Sequence, residues 1–180
     1  MRRGQTIVLK LLTAAVAAIV LVGCATPASQ QAMTIDTTDV AVEASEKLKG
    51  QVYVRNVTGG KDTNPLWTSQ VDSQSFKVAL EQSLATLGYK SDSSNAKYKV
   101  DANLQDLNQP GFGLTFNVQS TVAYTVATDA GSSNVPITAT GTATPSDAFI
   151  AIERLKIANE RSIKENIKAF ITRITNQFGK

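Results

Sequence analysis

A single cysteine, Cys24, and the absence of histidine bound the chemistry open to this chain of 180 residues. A thiol nucleophile needs a base, most often an imidazole, and a structural disulfide needs a second thiol. Without histidine there is no Ser-His-Asp triad and no histidine-ligated metal site. Carboxylates remain, and Asp101 with Asp106 is a conceivable acid pair. Both fall in or beside a segment of alternating polarity, where solvated side chains are expected. Serines and lysines abound, but no G-x-S-x-G elbow places a serine on a strained strand-to-helix turn. "GGKDT" shares only its Gly-Lys with a phosphate loop and lacks the required spacing. The residue inventory therefore points away from catalysis, metals and cofactors.

What precedes Cys24 gives that residue a different role. Arg2 and Arg3 lead into a mostly apolar run from Leu11 to Gly23, the pattern of a targeting segment. A run of 13 residues is short of the roughly 20 that an uninterrupted bilayer span needs. At its end stand Leu21, Val22, Gly23 and Cys24. This "LVGC" resembles the lipobox of bacterial lipoproteins. The resemblance implies cleavage between Gly23 and Cys24, diacylglycerol on the thiol, and palmitate or a similar chain on the new amine. It also implies that Ala25, in place of an aspartate, directs the protein to the periplasmic face of the outer membrane. Two or more acyl chains are enough for stable anchoring.

Charge is redistributed by such processing. Three of the 18 lysines and arginines lie in the leader, which leaves 15 basic against 15 acidic residues from Cys24 onward. The sequence pI near 9.0 therefore belongs to the unprocessed chain. A neutral domain lacks the clustered basic excess that a nucleic-acid partner requires.

The elements that would position any site follow from composition and periodicity. Residues 1–23 are the expected leader and residues 24–46, rich in Ala, Thr, Ser and Gln, a flexible tether. Residues 47–180 form the expected domain. "QVYVRNV" (Gln51 to Val57) reads as a strand, followed by a turn-rich loop through Gly59, Gly60, Asn64 and Pro65. Phe76, Leu80, Leu84 and Leu87 form one stripe of a helix over 73–87, capped by Asp72 or Ser73 and closed at Gly88. Tyr98, Val100, Ala102 and Leu104 alternate inward on a second strand.

A longer alternation starts at Phe112 and runs through Leu114, Phe116, Val118, Val122, Tyr124 and Val126, interrupted only by Ser120. It returns after a turn at Asp129–Asn134 through Val135, Ile137, Ala139, Gly141 and Ala143. This is a long hairpin with large inward residues on its first strand and small ones on its second. The small side leaves room for a helix. That helix is expected over 147–178, about 48 Å long, beside a strand of about 50 Å. Its i, i+4 pairs, Lys156 with Glu160, Arg161 with Glu165 and Glu160 with Lys164, read as a solvated face.

The expected fold is α+β: a two-layer sandwich with a mainly antiparallel sheet, a long hairpin and two helices on one face. Its outline is similar to small envelope lipoproteins of the lipopolysaccharide-assembly and transport-auxiliary kinds. The likeness implies an accessory that binds or helps assemble another envelope component, expected to be a protein. Pro65, Leu66 and Trp67, on the turn-rich loop, are the candidate partner contact, with Trp67 also open to plugging the end of the core; the hairpin edge offers a second surface unless it is covered or polar. A carrier of lipid or another apolar ligand is the alternative. It needs a cavity lined by Phe112, Phe116, Val118, Val122 and Tyr124, whereas cores are ordinarily filled.

Overall fold

The computed structural model describes residues 25–66 and 68–180. The leader, the Gly23–Cys24 junction and Trp67 lie outside them. Among the described residues the elements are α1 (Gln30–Met33), a 3-10 turn (Thr37–Asp39), β1 (Val52–Thr58), α2 (Ser73–Thr86), β2 (Tyr98–Asn108), β3 (Phe116–Thr128), β4 (Gly131–Ala143) and α3 (Ala151–Phe178). The four strands form one sheet in sequence order. β1 and β2 are parallel, because the chain crosses between them through α2. The other two pairings are antiparallel. The α+β sandwich read from the sequence is the observed fold.

Both long helices cover one face of the sheet. Val52, Val54, Val100, Leu104, Val122 and Val126 meet Phe76, Leu80 and Leu84 of α2 and Ile163, Ile167, Phe170 and Ile174 of α3 in a continuous core. The opposite face is polar and open. Its strands are joined by pairs such as Thr121 with Thr138 (3.3 Å) and Asn117 with Thr142 (2.8 Å). As expected, α3 lies over the small-residue strand. A Cβ on Gly141 would stand 2.1 Å from the Ser162 amide nitrogen and 2.3 Å from the Ala158 carbonyl oxygen. At about 1.5 Å per residue α3 spans some 42 Å, and β3 at 3.4 Å spans about 44 Å, so the two run alongside over their whole lengths.

Four expectations need correction. The first is the flexible tether at 24–46. Met33 and Ile35 are fully buried, and α1 packs on both α2 and α3. The Ile35 amide donates to Ser83 Oγ (3.1 Å), and Asp39 pairs with Lys164 (2.9 Å). A few strong apolar side chains suffice to dock a segment whose average composition is polar. Burying each contributes about 1.5–3 kcal/mol.

The second concerns the start of the long alternation. β3 begins at Phe116, and Gly113, at φ +141°, is outside any strand conformation. Phe112 and Leu114 are therefore expelled from the core. The third is the hairpin turn, which is confined to Asp129 and Ala130, since Thr128 already pairs with Gly131. The fourth is the start of the last helix. Asp147 accepts from the Thr144 amide (2.8 Å) and hydroxyl (3.0 Å), which holds a turn and delays the helix to Ala151.

Two substitutions test this packing. Ile35→Ala is expected to cost about 2–5 kcal/mol, where a free tether would leave the urea midpoint unchanged. Gly141→Ala is expected to cost about 3 kcal/mol, the upper end for overpacking, because backbone atoms block the new methyl and α3 must move as a unit.

Candidate functional site

The sequence-predicted contact loop receives the start of the described chain. The Ala25 amide donates to the Pro65 carbonyl (2.7 Å), and the Ala28 amide donates to that of Gln70 (3.1 Å). Ser69 Oγ donates to the Thr26 carbonyl (2.8 Å). Residues 25–28 thus run beside Pro65, Ser69 and Gln70. Pro65 and Leu66 are exposed on this loop as expected.

A polar knot holds the arrangement from beneath. Gln109, just past the end of β2, donates through Nε2 to the Ser69 carbonyl (2.9 Å) and to Asn159 Oδ1 (2.8 Å). Its Oε1 accepts from Gln70 Nε2 (3.1 Å). Asn159 Nδ2 donates to the same Ser69 carbonyl (3.0 Å), and Glu160 accepts from the Ser29 amide (2.7 Å). Ser69 and Asn159 are fully buried, so each bond replaces one to water that burial removed. Sequence reasoning missed these residues. For Asn159 alone there is a signal: it stands midway between Leu155 and Ile163, where i, i+4 spacing calls for a large apolar side chain.

A second network fastens the layers further along. Ser120, the interruption in the alternation, is fully buried and donates to the Ser162 carbonyl (3.1 Å). Asn166 donates to the carbonyls of Ser120 (3.3 Å) and Ile137 (3.1 Å) and accepts from the Tyr124 hydroxyl (2.9 Å). Burial pushes the Tyr124 hydroxyl well above its usual pKa. The Tyr124 ring stacks on Phe170, centroids 3.9 Å apart. Of the residues that were to line a carrier's cavity, Phe116, Val118, Val122 and Tyr124 are packed in the cores, and Phe112 projects into solvent.

Exposed apolar side chains gather at one end of the domain. Leu66 is 75 % exposed, Phe112 92 %, Leu114 75 %, Phe149 93 % and Ile150 45 %. They occupy the β1–α2, β2–β3 and β4–α3 loops. Strand direction puts all three at the same end, since Phe116 pairs with Ala143 and β1 runs parallel to β2. Gln109 and Ser69 tie two of these loops together. Behind the third, the nearly buried Arg154 donates to the carbonyls of Ala148 (2.9 Å) and Phe149 (2.7 Å), with its guanidinium 5.4 Å from the Phe116 ring centroid.

The conceivable chemical pairs do not converge. Asp101 is paired with Arg55 on the open sheet face, and Asp106 lies five residues along the strand, about 16 Å away at 3.3 Å per residue. Ser94 and Lys97 have the S-x-x-K spacing but stand in an exposed loop before β2. A polar cleft of about 290 Å³ between the β1–α2 loop and the end of β2 is lined by Lys61, Gln70, Asp106 and Gln109. No cluster of three or more metal-ligating side chains occurs among the described residues, and no helix there is long and apolar enough to cross a membrane.

The arrangement of four strands and covering helices is a known α+β fold. It is similar to that of a Xanthomonas campestris protein carrying the family model DUF330, at 8 % identity over 84 % of this chain and 96 % of that one, with a TM-score of 0.55. A candidate lipoprotein from Caulobacter crescentus CB15 matches at 14 % identity, 56 % and 81 % coverage and a TM-score of 0.42. Protein CT253 of Chlamydia trachomatis matches at 11 % identity, 70 % and 95 % coverage and a TM-score of 0.47. No family model and no curated protein matches the chain in sequence.

Charges around the site titrate according to their surroundings. Asp147 is held far below the usual carboxylate range by the Arg161 guanidinium and the Thr144 donors. Asp39 is lowered by the Asp36 amide and by Lys164. Glu160, expected on a solvated face, is nearly buried, and desolvation raises its pKa above the ordinary glutamate value of 4.5 despite the Ser29 amide and Lys156. A raised acid favours the folded state most fully below 4.5, and this contribution is lost as pH rises through the folded value. Wild type should therefore lose stability relative to Glu160→Gln as pH climbs out of the ordinary glutamate range. Urea unfolding at a series of pH values measures it, and a pH-independent difference contradicts it.

Proposed function

We propose that this chain is a lipid-anchored lipoprotein of the bacterial envelope, attached through Cys24, whose domain acts as a non-enzymatic accessory binding another envelope component. The observation that carries this reading is the bond from Ala25 to the Pro65 carbonyl (2.7 Å). Ala25 follows the lipobox cysteine directly, and it is already seated on the folded domain. An anchor at Cys24 therefore joins the domain with no intervening linker. Ala25 in place of aspartate favours the outer membrane. The binding or assembly role rests on the sequence, whose residue inventory lacks the usual catalytic groups, histidine among them.

The partner surface follows by elimination among the sheet's boundaries. The outer edge of β4 contains Pro136, which has no amide proton to offer an added strand. The outer edge of β1 is occupied at its start, where the Val52 amide donates to Tyr89 (2.9 Å) and the Val52 carbonyl accepts from Ser91 (2.7 Å). Both edges are thus blunted against strand addition. The open face, with its shallow groove along Arg55, Asn56, Asp101, Asn103 and Thr125, is the surface best suited to a protein partner.

Cys24→Ala tests the anchor. The wild-type chain should incorporate labelled palmitate and stay with membranes through a carbonate wash. The variant should do neither while folding normally, as judged by its urea midpoint. Palmitate labelling of the variant, or its retention in washed membranes, would overturn the reading.

A further inference from the structure

Five exposed apolar side chains, three loops and the start of the described chain share one end of this domain. Scattered surface hydrophobes are ordinary, but a group of two phenylalanines, two leucines and an isoleucine at one end marks an interaction site. We propose that this end enters the lipid bilayer, with Leu66, Phe112, Leu114, Phe149 and Ile150 lying among the headgroups and upper acyl chains beside the anchor. The inference rests on the anchored reading of Cys24.

Position decides between lipid and protein as the occupant. Leu66 adjoins Pro65, whose carbonyl binds Ala25, so the cluster begins one residue from the point where the chain departs toward Cys24. An acylated Cys24 brings the membrane surface to this end of the domain, because no flexible spacer separates the two. Apolar loops held there meet lipid before any soluble partner. Aromatic residues partition well to the interface, where an apolar ring can sit among headgroups.

Arg154 supplies a second feature of the same kind. It lies behind Phe149, its Nη1 is used by the Ala148 and Phe149 carbonyls, and its Nε has no hydrogen-bond partner. Among the described residues it is in no ion pair with a carboxylate. Through those two bonds the buried guanidinium braces the loop that presents Phe149 and Ile150, so the apolar side chains are held outward without a carboxylate beside them. The polar cleft lined by Lys61 and Gln109 opens beside the same loops.

The test uses the full acylated chain in phosphatidylethanolamine–phosphatidylglycerol vesicles. Acylation blocks Cys24, so a new cysteine is the only free thiol and takes a fluorescent label. Labels at Phe112→Cys and Phe149→Cys should be quenched severalfold more by nitroxide-bearing lipids than labels at Asp129→Cys, in the distant hairpin turn, or at Thr140→Cys, on the open face. All four positions are exposed, so none should disturb folding. Equal quenching at all four sites, with the chain still bound, would overturn this proposal and leave the anchor intact. Shielding of Phe112 and Phe149 in native envelopes but not in vesicles would also overturn it, in favour of a protein partner. A wild-type chain that washes off vesicles removes the anchored reading and this one with it.

Discussion

The closeness of α3 to β4 is the constraint on which the rest of this structure depends. At Gly141 the helix backbone touches the strand backbone, and no side chain of any size fits between them. That contact brings Asn166 within reach of the Ser120 and Ile137 carbonyls and Asn159 within reach of Ser69. Each is a polar group in an otherwise apolar interface, and each is costly if its partner moves away. The small residues set the distance and the amides set the register. Leucines alone would permit several sliding positions of α3 along the hairpin, whereas directed hydrogen bonds favour one.

That register fixes the loop end in turn. Asn159 and Glu160 sit one turn below Arg154 and Lys156 on α3, and they reach Ser69 and Ser29 only if the helix is correctly placed along its axis. The β1–α2 loop, the end of β2 and the docked N-terminal segment therefore share a single support. Displacing one frees the others, because Gln109 bridges Ser69 and Asn159 at once.

Much of this was legible in the sequence, and the remainder was hidden for identifiable reasons. Period-two alternation located β2 and the hairpin, since a one-residue slip would turn every valine outward. The small inward residues of β4 foretold which strand α3 would cover. Averages misled where single residues decided: the polar composition of residues 25–46 concealed Met33 and Ile35. Alternation misled at Phe112 and Leu114, where Gly113 breaks the strand although the pattern continues through it. The i, i+4 charges of α3 suggest a solvated face, yet Glu160 is buried and Lys164 serves Asp39, because the N-terminal segment, polar on average, docks over them through Ser29 and Asp39. The two polar networks were legible only as interruptions, Ser120 in the alternation of β3 and Asn159 between Leu155 and Ile163 on α3. An interruption does not name its partner.

Docking of residues 25–28 changes what an anchor at Cys24 would do. A flexible tether of twenty or so residues lets a domain tumble at about 5–6 Å times the square root of its length from the membrane. A segment hydrogen-bonded to Pro65, Ser69 and Gln70 removes that freedom and would hold the loop end of the domain close to the membrane. β3 and β4 then rise from the anchored end for about 44 Å, carrying the Asp129–Ala130 turn to the far side. The open face, with its threonines and the Arg55–Asp101 pair, stands along this rise instead of facing the membrane. A partner in the periplasm would meet that face in one orientation at one height. Fixing these degrees of freedom before encounter lowers the entropy lost on association.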